Sequence, residues 1–158
     1  MYTKTALGVY LAWHIFSEYF YTWNYTWGIS MLPNLAADGD AVILSKYYRH
    51  GRGVKVGDLV SFVHPVDEET FALKRVLGMP GDFVMRDSPH RGKQMMIQVP
   101  AGHCYVVGDN LEWSRDSRLY GPLPMGLIRG KALCKINWGH IQSIGGGLED
   151  AQDMDEID

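Results

Sequence analysis

The chain has 158 residues, 46% hydrophobic and 21% charged, so it can bury one core and is too apolar to be disordered throughout. Its formal net charge of −3 depends on the last ten residues, EDAQDMDEID, which carry six acidic side chains and no basic one. The rest of the chain has a small basic excess but no basic cluster, which argues against a nucleic-acid-binding protein.

An apolar segment occupies residues 5–23, TALGVYLAWHIFSEYFYTW, and contains one formal charge, Glu18. A membrane-spanning helix needs about 20 mostly apolar residues, so this segment is of borderline length. It has no small-residue site for signal cleavage after the apolar part. The aromatic residues that follow are typical of a membrane interface: Tyr19, Phe20, Tyr21, Trp23, Tyr25 and Trp27. We therefore expect membrane association, either as a span or as an amphipathic helix lying on the surface.

Three polar residues interrupt this segment at helical spacing. His14, Glu18 and Thr22 follow one another four residues apart, so on a continuous helix they share one face. Ionisable groups within membranes rarely face lipid. The stripe is therefore predicted to face a partner helix if the segment spans, and the soluble domain or the headgroups if it does not.

After residue 28 the sequence is typical of a mainly β protein. Short β-branched and aromatic segments alternate with Gly, Pro and Asp turn signals, which predicts antiparallel sheets or a partly closed barrel, preceded by one N-terminal hydrophobic helix. We expect a membrane-associated segment at 1–27, a β-rich domain at 28–140, and a Gly-rich hinge with an acidic tail at 141–158. The predicted strands are 40–45, 57–65, 70–79, 82–86, 94–99, 103–109 and 128–138.

The two cysteines, Cys104 and Cys134, are too far apart in sequence for a CxxC or zinc-type motif. One bridge between them stays open, but two buried thiols are expected. The histidines have no metal-site spacing. His103 and Asp109 are candidate partners of Ser30 in a catalytic triad, but nothing in their spacing connects them to that serine.

Lys74 lies within an apolar predicted strand, TFALKRVLG. By two-residue alternation it shares a face with Ala72 and Val76, whereas Arg75 points to the other face. Burial disfavours the ammonium form and lowers a lysine pKa, and a neutral amine can take a proton from a serine hydroxyl. The alternative is an edge-strand lysine whose amine reaches water.

A polar stretch, GDNLEWSRDSRLYGPLP, covers residues 108–124 and shows no alternation. Asp116 and Arg118 are spaced to pair in a tight loop, and Ser114 could bind a nearby amine. Read alone, the stretch is equally compatible with a polar surface loop.

The segments ISMLP, GDLVSFVHP, ALKRVLGMPGD, GDNLEWSRDSR and GPLPMGLIRGKA occur in an order that closely resembles the type I signal peptidase family, from about residue 28 to residue 138. The resemblance implies a serine endopeptidase that uses neither a metal nor an organic cofactor. It implies that Ser30 is the nucleophile and Lys74 the general base.

The same resemblance assigns supporting roles. Ser114 matches the serine that hydrogen-bonds to the lysine and orients it, Asp116 and Arg118 match the ion pair that braces the loop, and Asp109 is the acid of the Gly-Asp-Asn turn. Gly28 stands where bacterial members often carry a second serine that completes the oxyanion hole. The hole formed with the Ser30 backbone N–H would then need another donor.

The short interval between Asp82 and Val107 indicates a minimal form, most like the mitochondrial inner membrane branch of the family, catalytic subunit 1 type. This implies a location in that membrane with the catalytic domain facing the intermembrane space. It also implies precursor proteins as substrates and a second, related subunit as a partner, for which the stripe of His14, Glu18 and Thr22 is a candidate contact. A bacterial-type leader peptidase is the alternative within the family.

Two other classes of protein are alternatives to a signal peptidase. Self-cleaving repressors share the Ser-Lys dyad but need a DNA-binding domain, and residues 1–27 have only Lys4 and Glu18 as ionisable side chains besides His14. An inactive assembly module would have no use for a buried lysine beside a serine.

Overall fold

The computed structural model describes residues 2–86, 95–137 and 140–144, with side chains from residue 5 onward. The Gly-rich hinge and acidic tail are predicted at 141–158; residues 145–158 lie outside the described residues, and residues 141–143 belong to a strand instead. Helix α1, Tyr2–Tyr19, precedes one large antiparallel sheet, and a short helix α2, Ser117–Tyr120, lies within the predicted polar stretch. The prediction of a mainly β fold preceded by an N-terminal helix is confirmed.

The strands of the described residues are β1 Tyr21–Thr26, β2 Asp40–Ser45, β3 Leu59–Val63, β4 Phe71–Gly78, β5 Phe83–Met85, β6 Met96–Gln98, β7 His103–Val107, β8 Leu123–Pro124, β9 Ile128–Asn137 and β10 His140–Ser143. Seven of them run side by side in the order β1-β2-β9-β3-β4-β7-β8, and β10 adds to β9. A separate two-stranded ribbon joins β5 to β6.

The core has its centre at β3, whose five residues are all buried. Val60 and Phe62 project into one apolar cluster and Leu59 into another, as the alternation along a strand requires. A run that is apolar except for the buried Ser61 is typical of a strand covered on both faces. This fully buried strand is the platform against which β4 is held.

The aromatic residues after α1 form a strand rather than more helix. The helix ends at Tyr19, and Thr22 lies in β1 opposite Leu44. Aromatic and β-branched residues favour the extended conformation, and here β2 supplies the pairing partner. The predicted stripe of three polar residues on one helix is therefore wrong at Thr22, although His14 and Glu18 remain on α1.

From Thr5 onward, α1 exposes every described side chain except that of Ser17. Exposed aromatic residues continue along β1 at Tyr21, Trp23 and Tyr25. Among the described residues, no helix has both the length and the apolarity needed to cross a bilayer. Such a large exposed apolar surface is typical of a binding surface rather than of a free monomer.

Both cysteines are free thiols. Cys104 is buried, and burial raises the pKa of its thiol to about 12. Cys134 is only partly buried, so the expectation of two buried thiols is correct for the first cysteine alone.

Candidate active site

Lys74 and Ser30 meet although 44 residues separate them in sequence. The Lys74 Nζ atom lies 2.6 Å from the Ser30 Oγ atom, at hydrogen-bond distance. Lys74 pairs with Val60 of β3 and is 5% exposed, and Val76 on the same face is fully buried. The structure thus buries the lysine on the predicted face of β4 and places its amine against a partly buried serine.

The surroundings of Lys74 lower its pKa below the ordinary lysine value. Burial is the largest cause, because the ammonium loses its hydration shell. The carboxylates of Asp116 and Asp109 act in the opposite direction but do not cancel it. A larger share of neutral amine is therefore present at Lys74 than on an exposed lysine.

The serine sits on a tight turn that leaves β1. Gly28 has a backbone φ of 100°, which disfavours a side chain, and a short 3₁₀ helix follows at Ile29–Met31. The buried side chains of Met31 and Leu35 anchor the turn in the core. The Gly28 N–H donates to the Ala37 carbonyl at 2.8 Å, so this N–H is already occupied.

The Gly-Asp-Asn turn holds the serine turn in place. The Asn110 backbone N–H donates to the Ser30 carbonyl, and its side-chain amide donates to the Ile29 carbonyl, each at 3.0 Å. Asp109 accepts two hydrogen bonds of 2.8 Å from Arg75, the residue next to the lysine. The two chain segments that carry the serine and the lysine are therefore connected through one polar turn.

Asp116 is the fully buried acid of the site. It forms a two-pronged ion pair with Arg118 and accepts the Gly108 backbone N–H at 3.0 Å. Burial would raise the pKa of Asp116, but its interactions with Arg118, Ser114 and Gly108 outweigh this effect and lower the pKa. The predicted pairing of Asp116 with Arg118 is present, and it fixes the start of α2 beside the Gly-Asp-Asn turn.

Ser114 lies in this cluster but does not make the expected contact. Its Oγ atom is buried and acts on the Asp116 carboxylate, yet no partner with full hydrogen-bond geometry is found among the described residues. No hydrogen bond from Ser114 to Lys74 is formed in this structure. The hydroxyl is packed against Gly108, where a methyl group would approach it to 2.2 Å.

Two kinds of residue remain: predicted candidates that lie outside the Ser-Lys site, and residues of the site that the sequence did not reveal. His103 begins β7 and Asp109 follows its far end, about 13 Å along the strand, so these two do not form a triad with Ser30. Within the described residues, no group of three or more His, Cys, Asp or Glu is placed to hold a metal. The sequence reading assigned no role to Arg75 or Asn110, although both flank residues that it did select.

A family model described as signal peptidase, peptidase S26, matches residues 1–98 and 86–138, which is more than half of the chain. The chain belongs to the signal peptidase family. It is therefore a serine peptidase, a hydrolase.

Three relatives show where this peptidase falls within the family. Mitochondrial inner membrane protease subunit 1 of Saccharomyces cerevisiae is 42% identical over 137 residues, which cover 79% of this chain and 72% of that protein. Subunit 1 of Schizosaccharomyces pombe is 41% identical, with 80% of each chain covered. Subunit 2 of Danio rerio is 36% identical, covering 66% of this chain and 58% of that protein. The resemblance to the mitochondrial inner membrane branch is confirmed.

Gly108→Ala tests whether the close packing of the Gly-Asp-Asn turn holds the peptidase site. The new methyl group would meet the Ser30 carbonyl at 2.5 Å and Ser114 at 2.2 Å, so the serine turn must shift. We expect kcat/KM on a peptide substrate to fall about 100-fold, as for a displacement near 1 Å. The control is Gly126→Ala, where a methyl group meets nothing within 4 Å. Equal activity of the two variants would show that the turn tolerates the shift.

Lys74→Met tests the cost of burying the amine. Folding lowers the pKa of Lys74, so the unfolded chain binds more protons there, and stability from this group rises with pH up to the unfolded value near 10.5. Replacing the amine should raise the free energy of unfolding at neutral pH. The expected gain is about 1.4 kcal/mol for each pKa unit by which folding lowers the Lys74 value.

Urea unfolding at several pH values measures this difference, with Lys55→Met as an exposed control. The advantage of Lys74→Met over the wild type should shrink as pH rises toward the ordinary lysine value. A variant that is less stable than the wild type at every pH would contradict the buried, destabilised amine.

Proposed function

We propose that this peptidase is a membrane-bound serine endopeptidase with Ser30 as nucleophile and Lys74 as general base. Its substrates would be precursor proteins delivered to the mitochondrial intermembrane space, from which it removes sorting or signal peptides. The observation that carries the proposal is the 2.6 Å contact between the partly buried Ser30 hydroxyl and the buried Lys74 amine.

The first half-reaction is acyl transfer. Neutral Lys74 takes the proton of Ser30 Oγ as this oxygen attacks the carbonyl carbon of the scissile peptide bond. The Ser30 backbone N–H stabilises the oxyanion that develops on the carbonyl oxygen. When the tetrahedral intermediate collapses, the Lys74 ammonium gives its proton to the leaving amine, and an ester on Ser30 remains.

The second half-reaction restores the enzyme. Lys74, neutral again, takes a proton from a water molecule that attacks the ester carbonyl. The C–O bond to Ser30 then breaks, and the proton on Lys74 returns to the serine oxygen. The products are a carboxylic acid and the free hydroxyl, so atoms and charges balance without a metal or an organic cofactor.

Gly28 contributes neither a hydroxyl nor its backbone N–H to the oxyanion, because that N–H donates to Ala37. Its role is conformational, since a φ of 100° sets the direction in which the chain enters the serine turn. A second oxyanion donor would come from outside this residue. Ser114, Asp116, Arg118 and Asp109 serve as supports that hold the dyad.

The names of the relatives support the location and the partner. Relatives of both the subunit 1 and the subunit 2 type are similar to this chain, which supports a hetero-oligomer with a second, related peptidase subunit. The exposed apolar side chains of α1 and β1 are suited to the mitochondrial inner membrane. We place the catalytic domain on the side of the intermembrane space.

A cleavage assay tests the function. The full chain in detergent is given quenched peptides with Ala, Asn or Asp before the scissile bond. Ser30→Ala and Lys74→Ala should each lower kcat by at least about 10³-fold, because the two residues act as one unit. Lys55→Ala, which removes an exposed lysine, should retain activity.

The pH profile of the wild type identifies the base. Because the pKa of Lys74 is lowered, kcat/KM should rise with pH through a midpoint below 10.5. Activity that survives Lys74→Ala would overturn the proposed base. If no variant cleaves any peptide, the assay is repeated with the second subunit, and silence there as well would overturn the proposed activity.

A further inference from the structure

A second concave site lies away from the dyad, where α1 meets the sheet. The cavity has a volume of about 660 Å³ and lies between the end of α1, the start of β1 and the segment that follows β2. Its walls combine aromatic and basic side chains, among them Tyr21, Lys46, Tyr48, Arg49, His50 and Arg52. Among the described residues, no carboxylate lines it.

The basic side chains of this cavity are only partly neutralised. Lys46 donates to the Ser17 carbonyl at 2.8 Å, and Arg49 donates to the Glu18 carbonyl, so both cap the carbonyl end of α1. The Glu18 carboxylate approaches them only to 3.9 and 4.0 Å and is 58% exposed, which makes these ion pairs weak. Lys46 also donates to the Glu18 carbonyl at 3.2 Å, so the hydrogen bonds of the described residues leave it one of three N–H groups, whereas they leave Arg49 four of five.

Arg52 is the least committed of these cations. It is exposed, and its recorded contact is with the ring of Tyr47, 5.5 Å from the guanidinium carbon to the ring centroid. With one carboxylate beside three cations, the cavity keeps a net positive charge. The pKa of Lys46 is lowered, first by burial and also by the nearby Arg49, although the Glu18 carboxylate acts in the opposite direction.

The position of the cavity indicates what it faces. Tyr21, at one end of β1, pairs with Ser45 beside the cavity. Exposed Trp23 and Tyr25 continue along β1 to exposed Trp27, next to the serine turn. This aromatic surface extends about 20 Å along the strand, and such surfaces lie at the headgroup level of membranes. A membrane in contact with it would bring its headgroups to the cavity.

We propose that this cavity binds the phosphodiester headgroup of an anionic membrane lipid. One arginine guanidinium group can form two parallel hydrogen bonds to the oxygens of a phosphate group. Arg49 and Arg52 both line the cavity and can approach one headgroup from neighbouring turns of the same segment. The tyrosine rings suit the boundary between headgroups and acyl chains. Since Arg49 and Lys46 also hold the end of α1, a bound headgroup would fix that helix relative to the membrane surface. The proposal does not depend on the Ser-Lys mechanism, so its test measures binding.

The test uses the full chain, diluted from detergent into vesicles and separated by flotation. Three compositions are compared: phosphatidylcholine alone, phosphatidylcholine with phosphatidylglycerol, and phosphatidylcholine given the same surface charge by a fatty acid. We expect the strongest partitioning on phosphatidylglycerol. Arg52→Gln should weaken that partitioning about fivefold, the fold-change that corresponds to about 1 kcal/mol for one basic residue at an anionic surface.

Matched variants distinguish binding in the cavity from non-specific electrostatic attraction to the anionic membrane. Lys55→Gln removes one exposed positive charge outside the cavity and should retain most of the partitioning, whereas Arg52→Lys should fall between Arg52→Gln and the wild type. Equal losses in Arg52→Gln and Lys55→Gln, or equal partitioning on the two anionic vesicles, would overturn the proposal. Inorganic phosphate that binds the chain in an Arg52-dependent manner, while Arg52→Gln leaves partitioning onto phosphatidylglycerol vesicles unchanged, would identify a soluble phosphate as the ligand and would also overturn the proposal.

Discussion

The site depends on one physical constraint: the Lys74 amine is buried away from water and lies within hydrogen-bond distance of the Ser30 hydroxyl. Lys74 lies on a strand flanked by β3 and β7, with the fully buried Val60 and Val76 on its face, so the amine cannot turn away to solvent. A charged ammonium is costly there unless a strong partner compensates. Among the described residues, the one group recorded at hydrogen-bond distance from the amine is a neutral hydroxyl, and this combination favours the uncharged base.

The two nearby acids could have destroyed this arrangement. Asp109 and Asp116 each raise the pKa of Lys74, and an unpaired carboxylate would do so more strongly. Each acid instead forms a two-pronged pair with its own arginine, Arg75 or Arg118. The arginines neutralise the charge of both acids, and the resulting ion pairs fix the Gly-Asp-Asn turn and the start of α2. The same ion pairs that build the site thus help to keep the Lys74 amine neutral, as a general base must be.

The sequence predicted features that depend on local pattern, but not those that depend on contacts between distant segments. An apolar run after a turn signal identified β2 residue for residue, and alternation placed Lys74 on the buried face of β4, because both depend on local sequence. It did not identify β1, whose aromatic residues read equally well as the end of a helix until β2 is present to pair with them. The roles of Arg75 and Asn110 were also missed, since each becomes meaningful only when segments far apart in the chain meet. Ser114 shows the opposite case, a residue whose family role the geometry here does not display.

The most direct test of the account is the pKa of Lys74 itself, measured by following the chemical shift of its ¹³C-labelled Cε during a pH titration of the folded chain. Lys74→Met identifies the resonance, and Ser30→Ala shows the effect of the hydroxyl. The account predicts a midpoint clearly below that of the other lysines, with the fold intact throughout. A midpoint at or above the ordinary lysine value of 10.5 would contradict it, because the amine would then be charged and unable to act as the base.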